Sequence, residues 1–268
     1  MESSRNRILG CRGKGLPREV HAAGATIRER EVNNMKKISY IALLTMFGVP
    51  GILMYLATKV AVPILDSYHI FPIEISWFIS GGLLVLVPIF IVRLLLTGKE
   101  IGSFSLAALW ARMRIKRMKP IDWAYAIGSL VLVMSLTLSF LHLGKFIPGF
   151  NASPMFLDNL PLEAGEYWIL LAWLPFFFFN IFGEELWWRG YIQPRQELLT
   201  KQYTWLVHGA LWSLFHVGLG WSVIFLALPN FFILPLVVQI RKNTTIAIIV
   251  HTIFGSFGFL SLAFGFVS

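Results

Sequence analysis

The sequence predicts an all-α integral membrane protein. It reads as a polytopic bundle of about seven transmembrane helices, eight if a half-helix is hidden, with one basic amphipathic helix at the interface. Three observations predict this. Charged residues make up only 14% of the 268-residue chain, against 56% hydrophobic residues and a mean hydropathy of +0.68, whereas a soluble domain carries about 25% charged residues. The charges are gathered into short segments, leaving 38–58, 75–92, 123–144, 167–183, 202–240 and 243–268 free of Asp, Glu, Lys and Arg. The bases are also one-sided: if the spans alternate, the basic segments 1–37, 98–120, 189–201 and 241–242 share one side.

A helix needs roughly 20 apolar residues to cross the hydrocarbon. Five of the gaps fit one span each. The gap 202–240 is too long and is cut at Gly218-Leu219-Gly220-Trp221, so it divides in two. The expected spans are 38–60, 73–96, 121–142, 166–189, 203–217, 221–240 and 244–267. The loops on the other side carry Asp66, Glu74, Asp158, Glu163 and Glu166, with Lys145 as their base. The positive-inside rule then expects a cytoplasmic N-terminus, in the plasma membrane of a prokaryote.

Residues 1–34 read as a disordered basic tail, or as a start placed upstream of Met35-Lys36-Lys37. The apolar run after Lys37 is too long for a signal peptide and lacks a small-residue cleavage site, so an uncleaved first span is expected. Residues 35–142 hold the first three spans, 143–165 an outer loop and 166–268 the core that carries the chemistry. Cys11 is the single cysteine, which excludes an intrachain disulfide. Segment 104–119 alternates Leu106, Leu109, Trp110, Met113 and Ile115 with Arg112, Arg114, Lys116, Arg117 and Lys119. It reads as an interfacial helix on anionic lipid. Nothing recommends nucleic acid as a partner, and there is no P-loop, G-x-G-x-x-G or His-Glu-x-x-His.

The informative residues are polar ones in apolar spans, because a charge at mid-membrane costs roughly 2.5–3.5 kcal/mol on insertion scales. The fourth span closes on Asn180-Ile181-Phe182-Gly183-Glu184-Glu185-Leu186-Trp187-Trp188-Arg189-Gly190. Glu185 and Arg189, four apart, share a helix face and can pair. Glu184 then points elsewhere, free to face a cavity, with Asn180 one turn before it as a hydrogen-bond partner. The fifth span has His208, read as structural, and Trp212, Ser213 and His216; the seventh has His251. One carboxylate and two imidazoles are the parts of a water-activating site. Either Glu184 acts as general base with His216 while His251 stabilises developing negative charge, or Glu184, His216 and His251 hold a divalent metal such as Zn²⁺.

These residues resemble the CAAX protease and bacteriocin-processing (CPBP or Abi) family of intramembrane proteases, which includes the type II CAAX prenyl endopeptidases. The Glu-Glu-x-x-x-Arg motif is matched in full by Glu184, Glu185 and Arg189. Phe-x-x-x-His appears as Trp212-Ser213-Leu214-Phe215-His216. His-x-x-x-Asn appears as His251 followed by Gly255, a departure at the last position. The resemblance covers about residues 166–256. It implies endoproteolysis of a membrane-associated peptide or protein, with Glu184, His216 and His251 catalytic and Glu185, Arg189 and Trp212 supporting. It leaves a metalloprotease and a metal-free glutamate mechanism equally open. Gly255 removes one polar group of the implied site, with Ser256, Thr252 and Ser213 as candidate substitutes. The alternative reading is a non-catalytic member that binds a membrane partner or confers bacteriocin self-immunity.

Overall fold

A computed structural model describes residues 37–157 and 160–266 of the chain. The tail 1–34 and Cys11 lie outside the described residues. The described residues are 81% helical, with no strand, and six of their helical stretches are long and apolar enough to cross a membrane. The helices are α1 (Tyr40–Ser67), α2 (Ile73–Ile101), the short α3 (Leu106–Arg112), α4 (Pro120–Gly144), α5 (168–200), α6 (Thr204–Phe215), α7 (Trp221–Arg241) and α8 (Thr244–Ala263).

Local chemistry sets the helix ends. Ser39 caps α1, its hydroxyl accepting the Ala42 N–H at 3.1 Å. Helix α2 stops at Gly102, whose φ of +66° is left-handed. Pro120 opens α4, and the Asp122 carboxylate accepts the Lys119 N–H at 3.0 Å. Asn243 caps α8 through the Thr245 N–H at 3.1 Å.

The fourth predicted span needs correction. Its helix does not end near residue 189 but continues to Thr200. The chain then reverses at Lys201, where φ is +50°, and returns as α6. Helices α5 and α6 thus form one apolar run, Trp168–Leu219, with a corner inside it. Gln239 of α7 satisfies that corner: its Oε1 accepts the Trp205 N–H at 2.8 Å and its Nε2 donates to the Lys201 carbonyl at 3.1 Å. The polar residues after Arg189 do not end the helix because they are buried in the bundle. Gln193 and Gln196 have no exposed surface.

The amphipathic segment is corrected too. The helix spans only Leu106–Arg112, and Arg114 takes a positive φ of 57° that ends it. Two of its bases are engaged in ion pairs within the protein. Arg112 pairs with Glu100 at 2.9 Å, and Glu100 also holds Arg195. Arg114 grips Glu197 with both terminal nitrogens at 3.1 and 2.9 Å, and Lys242 joins the same carboxylate at 2.7 Å. Leu109 and Met113 are buried, while Leu106 and Trp110 face outward. Sequence patterning hides this, since Glu100 and Glu197 become neighbours of this segment only in the fold. These pairs, with Arg241–Asp122 at 2.9 Å, draw the basic segments 98–120, 189–201 and 241–242 to one end of the bundle.

The bundle is apolar outside and polar within. Ile41, Leu83, Ile127, Val131, Leu171 and Leu214 are exposed, whereas Arg93, Glu184, Glu185 and Arg189 are buried. Hydrocarbon as the surrounding solvent gives this inversion. Gly218 is a tight point in it, because a Cβ there would come 2.6 Å from Thr58 Oγ1 and 2.9 Å from the Tyr55 Cα on α1. Backbone cannot give way as a side-chain tip can. Gly218→Ala is therefore expected to destabilise the protein by about 1–3 kcal/mol, read as a lowered unfolding temperature in detergent.

Candidate active site

The residues singled out from sequence converge where α5, α6 and α8 meet. Wide π-helical turns at Phe179–Gly183 and Leu186–Ile192 flank Glu184 and Glu185. Such bulges are frequent at functional positions. They re-aim the two carboxylates, which are 2% and 0% exposed.

Glu185 is the neutralised carboxylate, as its spacing predicted. Its Oε1 accepts from Arg189 Nη1 at 2.9 Å, and both side chains are fully buried. The same oxygen lies 2.7 Å from His251 Nδ1, a contact that ties α8 to α5. The Arg189 guanidinium stacks on the Trp212 ring at 3.5 Å, so this one arginine binds a carboxylate in its plane and an aromatic on its face.

Glu184 is held differently from the expectation. Its Oε2 accepts two indole N–H bonds, from Trp188 at 3.1 Å and from Trp212 at 2.9 Å. Its Oε1 has no hydrogen bond among the described residues. Asn180 does not bond it; that side chain lines a cavity one turn away. His216 Nε2 lies 4.0 Å from Glu184 Oε2. The other ring nitrogen, Nδ1, is 2.8 Å from the Trp212 carbonyl. A carbonyl oxygen can only accept, so Nδ1 carries a proton, and in the neutral ring Nε2 is then an acceptor. Trp212 stands between the two imidazoles, its ring centre 5.6 Å from His216 and 5.7 Å from His251.

Trp188 is the residue that sequence reasoning missed; its four-residue spacing from Glu184 was the available signal. His208, read as structural, is fully buried and sits 2.8 Å from Gln196. Gly255 follows His251 by one turn. A Cβ there would meet Ile181 and Phe177 at 3.5 Å and His251 at 3.9 Å, all ordinary contacts. Two of its candidate substitutes are engaged with their own helices: Thr252 donates to the Ile248 carbonyl at 2.6 Å and Ser213 to the Gly209 carbonyl at 2.8 Å.

The fit to a metal can be tested on these contacts. Each imidazole has its Nδ1 fixed by a carbonyl or a carboxylate, the usual outer partner of a ligating histidine. No three His, Cys, Asp or Glu among the described residues form a metal-holding group, so Glu184, His216 and His251 as placed are not a preformed three-ligand site.

A cavity of about 310 Å³ adjoins the site. Its walls include Trp77, Phe78, Phe176, Phe177 and Phe259, and Asn180 of α5 and Gly255 of α8 also line it. Residues Ala152 and Pro154 of the outer loop also line it, which places it toward the end opposite the basic segments.

No curated protein and no solved structure matches the chain. One family does. The motifs, the convergence of Glu184, His216 and His251 around Trp212, and the burial of the Glu185–Arg189 pair all fall in one stretch, and that stretch, residues 166–257, matches the family of type II CAAX prenyl endopeptidases described as Rce1-like, a family of membrane proteases.

Proposed function

We propose that this protein is an intramembrane endopeptidase that hydrolyses a peptide bond of a membrane-associated peptide or protein, with its basic end in the cytoplasm. The observation that carries the proposal is the acceptor pair of Glu184 and His216 Nε2, 4.0 Å apart. A polar separation of that size admits one bridging water. A water donating one hydrogen to Glu184 and the other to His216 turns its lone pair outward, toward a substrate carbonyl. The Glu184 carboxylate, its Oε2 held by the two indole donors, takes the water's proton as its oxygen attacks. Glu184 then passes that proton to the amine nitrogen as the C–N bond breaks.

His251 is assigned to the oxyanion. Glu185 orients it through Nδ1. When His251 carries two protons, its Nε2–H is a donor, and Glu184, Glu185, Arg189 and His251 sum to zero charge. The apolar cavity beside Asn180 and Gly255 takes the apolar anchor of the substrate. No step is routed through a metal.

The experiment is cleavage of a panel of membrane-anchored peptides by purified protein in detergent, with and without a strong chelator. The metal-free route expects the rate to survive chelation. One observation favours a second reading, a non-catalytic partner-binding or self-immunity protein: Gly255 offers no side-chain donor beside His251. A Cβ at position 255 meets only ordinary contacts and the position lines a cavity, so Gly255→Asn is expected to fold. It is also expected to raise cleavage by about 10²-fold, the usual worth of one oxyanion donor. Cleavage absent from both wild type and Gly255→Asn would favour the binding reading.

A further inference from the structure

One ridge of α5 carries Glu185, Arg189, Gln193 and Gln196, none with exposed surface. Each is hydrogen-bonded on one side only. Gln193 Nε2 donates to the Pro235 carbonyl at 2.7 Å, and Gln196 Oε1 meets His208 Nδ1 at 2.8 Å. Left without a hydrogen-bond partner among the described residues are Glu185 Oε2, Arg189 Nε and Nη2, Gln193 Oε1 and Gln196 Nε2, together with His208 Nε2 and Asn230 Oδ1 on the facing helices α6 and α7. Donors and acceptors alternate in this set, as a chain of waters requires. Kept dry, so many orphaned groups would outweigh the net stability of a domain.

The ridge runs on to Thr200, whose hydroxyl lies 2.9 Å from Thr204 Oγ1 and donates to the Gln196 carbonyl at 3.1 Å. Thr200 also lines a surface pocket at the Lys201 corner, with Tyr40, Gln202 and Tyr203. The polar ridge therefore begins at solvent and ends at Glu185, the neighbour of Glu184. The cavity at the other end of the bundle is walled mostly by aromatic and aliphatic side chains, with Thr137, Asn180 and Ser261 among them, and so few polar partners make it a poor path for water.

We infer that the α5 ridge from Thr200 to Glu185 holds a column of ordered waters that feeds the water consumed at Glu184. The column stands on the orphaned polar atoms; its use as a supply rests on the protease reading. Substrate and water then reach the site from opposite ends.

Hydroxyl-radical footprinting of the full chain in detergent tests the column without any need for activity. Phe47 is 3% exposed and packs its ring 5.1 Å from His208. A water beside His208 labels it; a dry interior does not. Phe47 labelling is expected in wild type and lost in Gln193→Met/Gln196→Met. The same double variant is expected to lose about tenfold in kcat with KM unchanged. The single variant Gln193→Met, which keeps the Gln196 Oε1–His208 contact and the Gln196 Nε2 donor, should lose less of both, and unfolding temperatures close to wild type separate lost water from a fold defect. An unlabelled Phe47 in wild type overturns the column. Labelling lost with kcat intact overturns the supply role. If wild type cleaves no peptide, labelling still decides the column, and the protease reading fails separately.

Discussion

Replacing Glu184 by glutamine is expected to lower cleavage by about 10²–10⁴-fold, the range a positioned general base contributes. The substitution is conservative everywhere except in chemistry. The amide carbonyl of the new side chain can still accept from Trp188 and Trp212, now at 3.1 and 2.9 Å on Glu184 Oε2. The buried site loses a charge but no volume. The variant should unfold within a few degrees of wild type while its kcat collapses and its KM stays near the original. Purified wild type and Glu184→Gln, run side by side on one membrane-anchored peptide, make the measurement. A variant that keeps more than a tenth of the wild-type rate would remove Glu184 as the base and leave the mechanism without one.

The largest stability effect is expected at Arg189. Arg189→Leu leaves the Glu185 carboxylate fully buried, with His251 as its one remaining hydrogen-bond partner among the described residues. Removing one member of a buried ion pair costs about 3–5 kcal/mol, much of it the penalty on the abandoned charge. The stacking on Trp212 at 3.5 Å is lost as well, and Trp212 also positions Glu184. Arg189→Leu should therefore lower both the unfolding temperature and the residual activity. Arg189→Lys keeps the charge but cannot reproduce a planar group that bonds Glu185 while lying flat on an indole; an intermediate loss is expected. The double variant Glu185→Leu/Arg189→Leu should recover part of the stability, since no charge remains unpaired. Thermal unfolding of wild type, Glu185→Leu, Arg189→Leu and the double variant in one detergent completes the cycle. A double variant less stable than Arg189→Leu would contradict the account of Glu185 as a burdened charge.

The family match covers residues 166–257, and the helices before it supply parts of the site's surroundings. Phe47 of α1 stacks on Trp188 at 4.5 Å, behind the indole that donates to Glu184. Leu86 and Phe90 of α2 lie against Gly183, where a Cβ would come 3.2 Å from the Leu86 carbonyl. Trp77 and Phe78 of α2, with α4, wall the cavity. The N-terminal spans thus back the motif helix and shape one side of the space beside it.

Much of this protein was determined by sequence alone, and the reason is the bilayer. Hydrocarbon tolerates few charges, so the gaps between them mark the helices, and the residues that break the rule mark the candidate site. Glu184, Glu185, Arg189, His216 and His251 were all legible on that ground, and the Glu185–Arg189 pair on helical spacing. The tertiary structure decided the rest, because each remaining feature depends on contacts between distant segments. Only the fold brings Trp212 of α6 to Glu184, His251 of α8 to Glu185, and Glu100 and Glu197 to the arginines of 104–119. Only packing explains why α5 continues past Arg189 into a polar stretch. Composition marks a helix end where charge meets water, whereas here Gln193, Arg195 and Gln196 meet protein, and their backbone hydrogen bonds hold α5 to Thr200.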